Sequence, residues 1–313
     1  MADFSIITPV LNQVSTIETC IISVAQQRVD VEHIIIDGGS TDGTIDIIRK
    51  CENNLSYWKS EPDSGQSQAI NKGLERATGK YFNWLNADDQ LTKNALQKVL
   101  LSASEMTTAI IGKCEHIDAK RQTLEVGSAR IWKTIEATLG NYSMGQPSLF
   151  YRTSVVKDLG GLNENLHLCM DMDLWFRFLL KHGQNDIVVT EDILSFFLVH
   201  QESKSIQSYK EMECEKYGLY HALLSQNKQA EVLTEFFKEY AIPKYVVYER
   251  EKPLNKTELL SNFAWHLMVR AYKNKNLERC KDYFEIVKNG QRLSETDKLM
   301  WKARLAANNL LRK

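Results

Sequence analysis

Two adjacent carboxylates, Asp88 and Asp89, closely follow an aromatic and aliphatic run at residues 81–85. The run predicts a buried strand, which puts the two acids at its carboxyl end. Ligands of open α/β sheets bind outside the carboxyl ends of the strands, and two carboxylates there can hold a hard divalent cation against a diphosphate. Taken alone, the acids fit a plain strand-to-helix turn better, with Asp as a cap and Thr92 capping the next helix. The functional interpretation therefore rests on the motifs around them.

The preceding segment, which must position these acids, alternates strands and helices. An apolar strand begins at Phe4 and ends in a Thr-Pro turn, and a helical pattern with apolar residues on one face follows from Ile17. A second, β-branched strand ends in Asp37, after which Gly38 and Gly39 permit a tight turn into another helix. This order predicts an α/β fold with a mostly parallel sheet covered by helices.

Four motifs, in this order, resemble the inverting glycosyltransferases of family 2, which have the GT-A fold. The resemblance covers roughly residues 3–205. It implies a nucleotide-diphospho-sugar donor, taken here as a uridine diphosphate (UDP) sugar, a divalent metal (Mn²⁺ or Mg²⁺) and transfer by single displacement. The motifs are Thr8-Pro-Val-Leu-Asn12, Ile36-Asp-Gly-Gly-Ser-Thr-Asp-Gly-Thr44, Asp63-Ser-Gly-Gln-Ser-Gln-Ala-Ile-Asn-Lys-Gly73 and Asn86-Ala-Asp-Asp89.

The needs of a pyrimidine base, set against these motifs, suggest the nucleotide-binding residues. The base requires an acceptor for its imide N–H, and Asp37 can supply it; the alternative for Asp37 is a helix or turn cap. The turn that begins at Asp63 and Gln66 after it are expected to contact the nucleotide or the sugar. The wall of the base is expected from the end of the first strand, at Thr8, Pro9 and Asn12.

The resemblance also divides the two acids of the fourth motif. Asp89 is expected to ligate the metal, and Asp88 to contact the ribose or help hold the metal. His200 follows a predicted strand at residues 193–199 and is expected as a third metal ligand, with Ser203-Lys204-Ser205 gripping phosphate. The alternative for His200 is a structural or solvated histidine. A metal here would act as a Lewis acid on the departing diphosphate.

A third acidic group opens a predicted helix within residues 168–180, where Asp171 and Asp173 stand at the positive end of the helix dipole. In the family this segment often has the form Glu-Asp-x-Asp-Leu-Trp, and its first Asp is the general base. Asp171 matches that position, while Met170 replaces the Glu. The alternative is a plain helix cap. A base is needed because an acceptor hydroxyl is a poor nucleophile, and inversion requires no second, nucleophilic carboxylate.

Helical periods replace strands after about residue 207, which predicts a GT-A catalytic domain at 1–207 and a helical region at 208–313. One apolar face runs from Leu259 to Tyr272, a second begins at Leu277, and Ser294 with Asp297 forms a capping pattern for a third helix. This appendage can bind a partner, form a homo-oligomer, or lie near a membrane that carries a lipid-linked acceptor.

Composition excludes some functions. A net charge of −1 over 313 residues gives no electrostatic case for nucleic acid. No apolar run approaches the ~18 residues of a membrane span, and the N-terminus has no pattern of a signal peptide. Six cysteines without close pairing are typical of reduced thiols. We therefore expect a cytoplasmic protein, with peripheral contact at the inner face of the membrane as an open alternative, acting on a glycan or lipid-linked acceptor in surface-polysaccharide assembly.

Two other functions compete with this interpretation. A sugar nucleotidyltransferase also uses a nucleotide-binding α/β sheet and a metal, but it would need a Gly-rich, basic loop after the first strand, where this chain has Thr8-Pro-Val-Leu-Asn-Gln13. A catalytically silent sugar-nucleotide-binding or scaffold protein would not need intact acids at Asp88, Asp89 and Asp171.

Overall fold

The computed structural model describes residues 2–310 except 202, 225–232, 239, 241–245, 247, 249–252 and 291–292. The described chain divides into two compact units. The first unit comprises the residues up to Ile131 together with Ser143–Lys216, and the second comprises Trp132–Tyr142 together with the residues from Tyr217 onward.

The first unit is an α/β unit whose elements alternate through its amino-terminal half. Its described strands are β1 (Phe4–Val10), β2 (Val31–Asp37), β3 (Tyr57–Ser60), β4 (Tyr81–Trp84), β5 (Gln90–Leu91), β6 (Ala109–Ile117), β7 (Thr123–Val126), β8 (Leu149–Arg152) and β9 (Ile187–Leu198). Its described helices are α1 (Ile17–Ala25), α2 (Thr44–Lys50), α3 (Gln66–Arg76), α4 (Ala95–Ser102), α6 (Thr153–Asp158), α7 (Met170–His182), α8 (Lys204–Gln207) and the first part of α9 (Tyr209–Leu224). Helix α5 (Ile135–Gly140) belongs to the second unit.

These strands form one sheet in the order β3-β2-β1-β4-β8-β6-β9-β5, with β7 paired to β6. From β3 to β4 all pairings are parallel, and the register sets Val10 beside Asp37 and Ile7 beside Trp84. The carboxyl ends of β1, β2 and β4 therefore meet at one edge. Beyond β4 the pairing is mixed, because β8 runs antiparallel to both β4 and β6 while β9 runs parallel to β6.

The core explains why these segments fold as they do. Every residue of β1 is buried, and α1 covers the sheet with a face made of Ile17, Cys20, Ile21 and Val24. Helix α3 packs closely on β1, because Gly73 lies where an added Cβ would come within 2.6 Å of Ile7 Cγ2. The helix that begins at Gln66 is thus held rigidly against the strand ends.

The second unit consists of helices. It contains α5 (Ile135–Gly140), α10 (Thr234–Phe237), α11 (Lys256–Lys273), α12 (Leu277–Lys288) and α13 (Glu295–Leu310) among its described elements. Segment 132–142 belongs here because α5 packs on α11, where Asn141 Nδ2 donates to Asn262 Oδ1 at 2.9 Å. The predicted helical region is confirmed, while the boundary at residue 207 between separable domains stays a prediction. No described helix combines the length and the hydropathy of a membrane span.

Candidate active site

The turn between β4 and β5 carries a buried carboxylate, Asp89, with one oxygen that is not hydrogen-bonded within the described chain. The side chain of Asp89 is 1% exposed; its Oδ2 accepts from Asn86 Nδ2 at 3.1 Å, and its Oδ1 has no hydrogen-bond partner among the described residues. Burial, followed by the charge of Asp88, raises the pKa of Asp89 well above its ordinary value, while the Asn86 amide and the Leu198 backbone N–H act in the opposite direction. An unpaired carboxylate in this position favours the binding of a cation or a proton.

Asp88 is more accessible and lies beside His200. Its Oδ2 is 3.1 Å from His200 Nε2, and both side chains are about four-fifths buried, with exposures of 23% and 21%. The structure therefore brings all three predicted metal residues to one place, with His200 paired to Asp88 and not bonded to Asp89.

A polar chain links this turn to two other elements. Gln66, the first residue of α3, donates from Nε2 to Asn86 Oδ1 at 2.6 Å and accepts at Oε1 from Lys204 Nζ at 2.8 Å. Burial lowers the pKa of Lys204, and the negative charges of Asp88, Asp63 and Glu215 oppose that shift. Gln66 and Asn86 thus orient Asp89 and bring a lysine to the acid turn. This orienting role of Asn86 is not predictable from the sequence motif alone.

The donor set fits a hard divalent cation. In the part of the chain that the structure describes, no three His, Cys, Asp or Glu side chains form a ready protein cage for a metal. Mg²⁺, however, is usually held by one or two carboxylates together with substrate phosphates and water, and imidazole is an additional ligand suited to Mn²⁺ and related ions. The donor atoms of Asp89 and Asp88 have the chemistry that such an ion requires, and Asp89 Oδ1 makes no hydrogen bond to the described residues.

Asp37 is fully buried and organises the turn after β2. Its carboxylate accepts from the backbone N–H groups of Gly39 and Ser40, both at 3.0 Å, and from the hydroxyls of Ser40 at 2.5 Å and Ser60 at 2.6 Å. Three of these bonds go to Oδ2 and one goes to Oδ1, so the turn engages both oxygens of a carboxylate that offers about two acceptor sites on each. Acceptance of an imide N–H by Asp37 stays a prediction.

The other predicted nucleotide residues lie around this turn at different depths. The hydroxyl of Thr8 is buried, 3.0 Å from His33 Nε2, and Pro9 is buried beside it. Asn12 is exposed, with a left-handed backbone (φ 52°), and its Oδ1 accepts from Thr41 N at 2.9 Å. Asp63 rests against Gly38, where an added Cβ would lie 2.8 Å from Asp63 Oδ2. Asn12 and Asp63 are therefore more exposed than Thr8, Pro9 and Asp37 around this turn.

The two acids at the start of α7 have different surroundings. Asp173 is 1% exposed and bonds Arg177 Nε at 2.8 Å, while the same guanidinium donates to the carbonyls of Leu159 and Gly161, both at 2.9 Å. Asp171 is only half-buried, and its Oδ1 accepts from Met172 N at 2.8 Å. Asp173 is paired with a cation inside the fold, and Asp171 is the more exposed of the two acids.

Comparison with known proteins agrees with this architecture. Residues 5–156 match the family model described as glycosyl transferase family 2. A PGL/p-HBAD biosynthesis glycosyltransferase of Mycobacterium bovis (strain BCG) is 30% identical over 183 residues, which cover 56% of this chain and 68% of that protein. The crystal structure of S. aureus TarS 1-349 in complex with UDP-GlcNAc matches with a TM-score of 0.60 and 17% identity over 91% of this chain and 81% of that chain.

A second solved structure, the mannosyltransferase PcManGT from Pyrobaculum calidifontis in complex with GDP-Man and Mn²⁺, matches with a TM-score of 0.56 and 14% identity over 99% of this chain and 81% of that chain. A parallel α/β half, an acid turn at its strand ends and a mixed continuation of the sheet together define a GT-A glycosyltransferase. The chain belongs to glycosyl transferase family 2. The predicted family, fold class and enzyme class are confirmed.

Proposed function

We propose that the protein transfers a sugar from a UDP-sugar to a hydroxyl of a glycan or lipid-linked acceptor, with inversion at the anomeric carbon. One observation carries this proposal: the chain presents two acids in different environments, a buried carboxylate at Asp89, whose Oδ1 has no hydrogen-bond partner among the described residues, and a half-buried carboxylate at Asp171. A metal-held diphosphate and a general base need these two environments. The UDP-GlcNAc bound in TarS, and GDP-Man with Mn²⁺ in PcManGT, support the donor class.

The donor side of the proposal uses the acid turn. Asp89, Asp88 and His200 are the residues that would hold Mn²⁺ or Mg²⁺, and the ion would act as a Lewis acid on the diphosphate. Asn86 and Gln66 fix the direction of the Asp89 carboxylate through their hydrogen bonds. Lys204 adds a positive charge that would stabilise the negative charge developing on the departing diphosphate.

The nucleotide is proposed to lie over the turn after β2. Asn12 and Asp63 would contact it directly. The buried residues Thr8, Pro9 and Asp37 would hold the turn in place. Asp63 Oδ1 accepts from Gly65 N at 2.9 Å, and its Oδ2 accepts no hydrogen bond from the described residues. Asp63 therefore has capacity for the imide N–H and is partly exposed. Asp37 Oδ1 accepts one hydrogen bond, from Ser40, but the side chain is fully buried in the turn.

Asp171 is proposed as the general base. It takes the proton of the acceptor hydroxyl while that oxygen attacks the anomeric carbon from the side opposite the leaving diphosphate. A positioned base contributes 10²–10⁴-fold, roughly 3–5 kcal/mol of barrier. Asp173 cannot share this role at neutral pH, because its carboxylate is committed to Arg177.

The test is release of UDP from a panel of UDP-sugars, with and without Mn²⁺ or Mg²⁺, in the presence and absence of simple sugar acceptors. Metal-dependent UDP release by the wild-type protein supports the proposal. UDP binding without release from any donor would favour a silent sugar-nucleotide-binding protein. Pyrophosphate release from a nucleoside triphosphate and a sugar phosphate would favour a nucleotidyltransferase. The acceptor and the cytoplasmic location stay predictions of the sequence.

A further inference from the structure

The segment that leads into α7 is held by a carboxylate from another helix. Glu215, on α9, accepts three consecutive backbone N–H groups: His167 N at 3.0 Å on Oε1, and Leu168 N and Cys169 N at 2.9 Å on Oε2. Cys169 is the residue just before α7, and Asp171 follows two residues later. One side chain thus fixes the backbone immediately ahead of the proposed base.

The other end of the same segment is tied to α3. Asn71 exchanges two hydrogen bonds with Leu162, from Nδ2 to the carbonyl at 2.9 Å and from Leu162 N to Oδ1 at 2.8 Å. Ser67 Oγ donates to the carbonyl of Leu166 at 2.9 Å. Because α3 starts directly after the Asp63–Gly65 turn, the segment is anchored on one side to the donor motif and on the other to Glu215.

The chemistry of the Glu215 contact is suited to precise positioning. The N–H of Cys169 belongs to the N-cap of α7 and has no intrahelical partner, while the N–H groups of His167 and Leu168 lie in the loop before the helix. A carboxylate that accepts such groups forms charge-assisted bonds that are shorter and stronger than neutral ones. Both oxygens of Glu215 are engaged by adjacent residues, so the carboxylate restrains rotation as well as translation of the segment. A displacement of about 1 Å at a reacting group can cost on the order of 100-fold in rate.

We propose that Glu215 is a positioning residue for catalysis: it holds residues 167–169 so that the Asp171 carboxylate is aligned with the acceptor hydroxyl. The proposal rests on the proposed role of Asp171 as the base. The hydrogen bonds of Glu215 go to the backbone of residues 167–169 and not to Asp171 itself, so we infer that it affects the reaction through the placement of Asp171. The charge of Glu215 also acts on Lys204, and the UDP affinity measured below reports any effect through that lysine.

The experiment compares Glu215→Gln and Glu215→Ala with Glu211→Gln, an exposed glutamate on the same helix that serves as the matched control. Each variant is assayed for UDP release from the UDP-sugar that the wild-type protein hydrolyses fastest, and for UDP affinity in the presence of Mn²⁺. We expect Glu215→Gln to lower the hydrolysis rate at least tenfold and to change UDP affinity less than twofold. Glu211→Gln should change neither.

A double variant separates positioning from general destabilisation. In an Asp171→Asn background, Glu215→Gln should change the residual rate less than twofold, because the group through which it acts is already lost. An equal loss in both backgrounds would overturn the proposal, as would an unchanged rate in Glu215→Gln alone. If circular dichroism shows that Glu215→Ala does not fold, the hydrolysis rate and UDP affinity of Glu215→Gln alone test the proposal.

Hydrogen exchange gives a readout that does not depend on activity. The amides of His167, Leu168 and Cys169 should exchange slowly in the wild-type protein and at least tenfold faster in Glu215→Gln; equal exchange in both would contradict the contact itself. The two proposals also fail differently. A wild-type rate in Asp171→Asn removes the base assignment, whereas a large loss in Asp171→Asn with none in Glu215→Gln removes only the positioning role.

Discussion

Asp89 and Asp173 are equally buried, yet their surroundings are opposite. Asp173 pairs with Arg177 at 2.8 Å and so is neutralised by its own fold. Asp89 has a second carboxylate, Asp88, as its neighbour, and one of its oxygens has no hydrogen-bond partner among the described residues. Lys204 is linked to it through Gln66 and Asn86. A buried acid with a fixed cation stabilises structure, while a buried acid without one is a candidate for function.

Each of these buried acids has a more exposed acid nearby in the sequence, and the roles proposed for those two exposed acids differ as well. In the acid turn the buried residue is the proposed functional centre, and the more accessible Asp88 is engaged by His200. At α7 the buried residue is structural, and the more accessible Asp171 is the proposed base. In the sequence the two pairs, Asp88 with Asp89 and Asp171 with Asp173, look alike, because both are closely spaced acids near the end of an element. The fold distinguishes them by placing a cation, Arg177, beside Asp173.

The largest expected effect separates the acids of α7. Asp171→Asn keeps size and hydrogen bonding but removes basicity, so transfer should fall at least about a hundredfold, the lower end of general-base contributions. UDP affinity should change little, because the base contacts the acceptor. Steady-state rates and calorimetric UDP titrations of the same preparation check both statements. Near wild-type transfer would leave Asp171 as a helix cap.

Asp173→Ala should act on stability instead. Removing one partner of a buried ion pair leaves the Arg177 guanidinium uncompensated; because Arg177 is 22% exposed, we expect a loss of about 2–3 kcal/mol, below the usual range for fully buried pairs. Urea denaturation of the variant and of the exposed control Asp46→Ala measures it. A destabilisation no larger than that of the control would contradict the structural role of Asp173.

Asp89→Asn should change stability in the opposite direction when no metal is present. The folded protein holds a carboxylate whose pKa is raised above its ordinary 3.8 by burial and by Asp88. Between the two pKa values the native state binds more protons than the unfolded state, so stability falls as pH rises through that window. We expect Asp89→Asn to gain about 1–2 kcal/mol at neutral pH, the cost of burying an unpaired polar group. The substitution should also remove the fall of stability with rising pH, which is measured as melting temperature against pH in EDTA. An unchanged pH dependence would exclude Asp89 as its source.

A smaller effect distinguishes the two candidates for the imide contact. We expect Asp37→Ala to weaken UDP binding about tenfold, or ~1.4 kcal/mol, without loss of the circular dichroism signal. Asp63→Ala is the matched variant, since it removes a second carboxylate that packs against Gly38 of the turn after β2. A larger loss of affinity in Asp63→Ala would transfer the imide contact to Asp63, and unfolding of Asp37→Ala would leave Asp37 as a turn cap alone.

The parts of the fold that the sequence predicts are those set by local chemistry. The strands ending at Val10, Asp37 and Trp84 are apolar runs followed by turn residues, and the parallel order of β1 to β4 follows from their alternation with helices. The start of α7 was likewise marked by its acids and its apolar spacing. These features place Asp37, Asp88, Asp89 and Asp171 at element ends without knowledge of any distant contact.

What the sequence did not predict depends on contacts between distant residues. The antiparallel insertion of β8 between β4 and β6 follows no local pattern. The hydrogen bond from Ser60 to Asp37 and the membership of segment 132–142 in the helical unit also require tertiary packing. Glu215 lies in a charged helix whose sequence does not single it out, and only the three N–H groups that converge on it give it a role.

The most direct test of the account is a calorimetric titration of UDP into the wild-type protein and into Asp89→Asn, each with Mn²⁺ and with EDTA. The buried, unpaired carboxylate of Asp89 and the diphosphate are expected to share the ion. The account predicts that Mn²⁺ strengthens UDP binding to the wild-type protein at least tenfold and leaves binding to Asp89→Asn unchanged. Equal affinity with and without the metal in the wild-type protein, or the same metal dependence in both proteins, would contradict it.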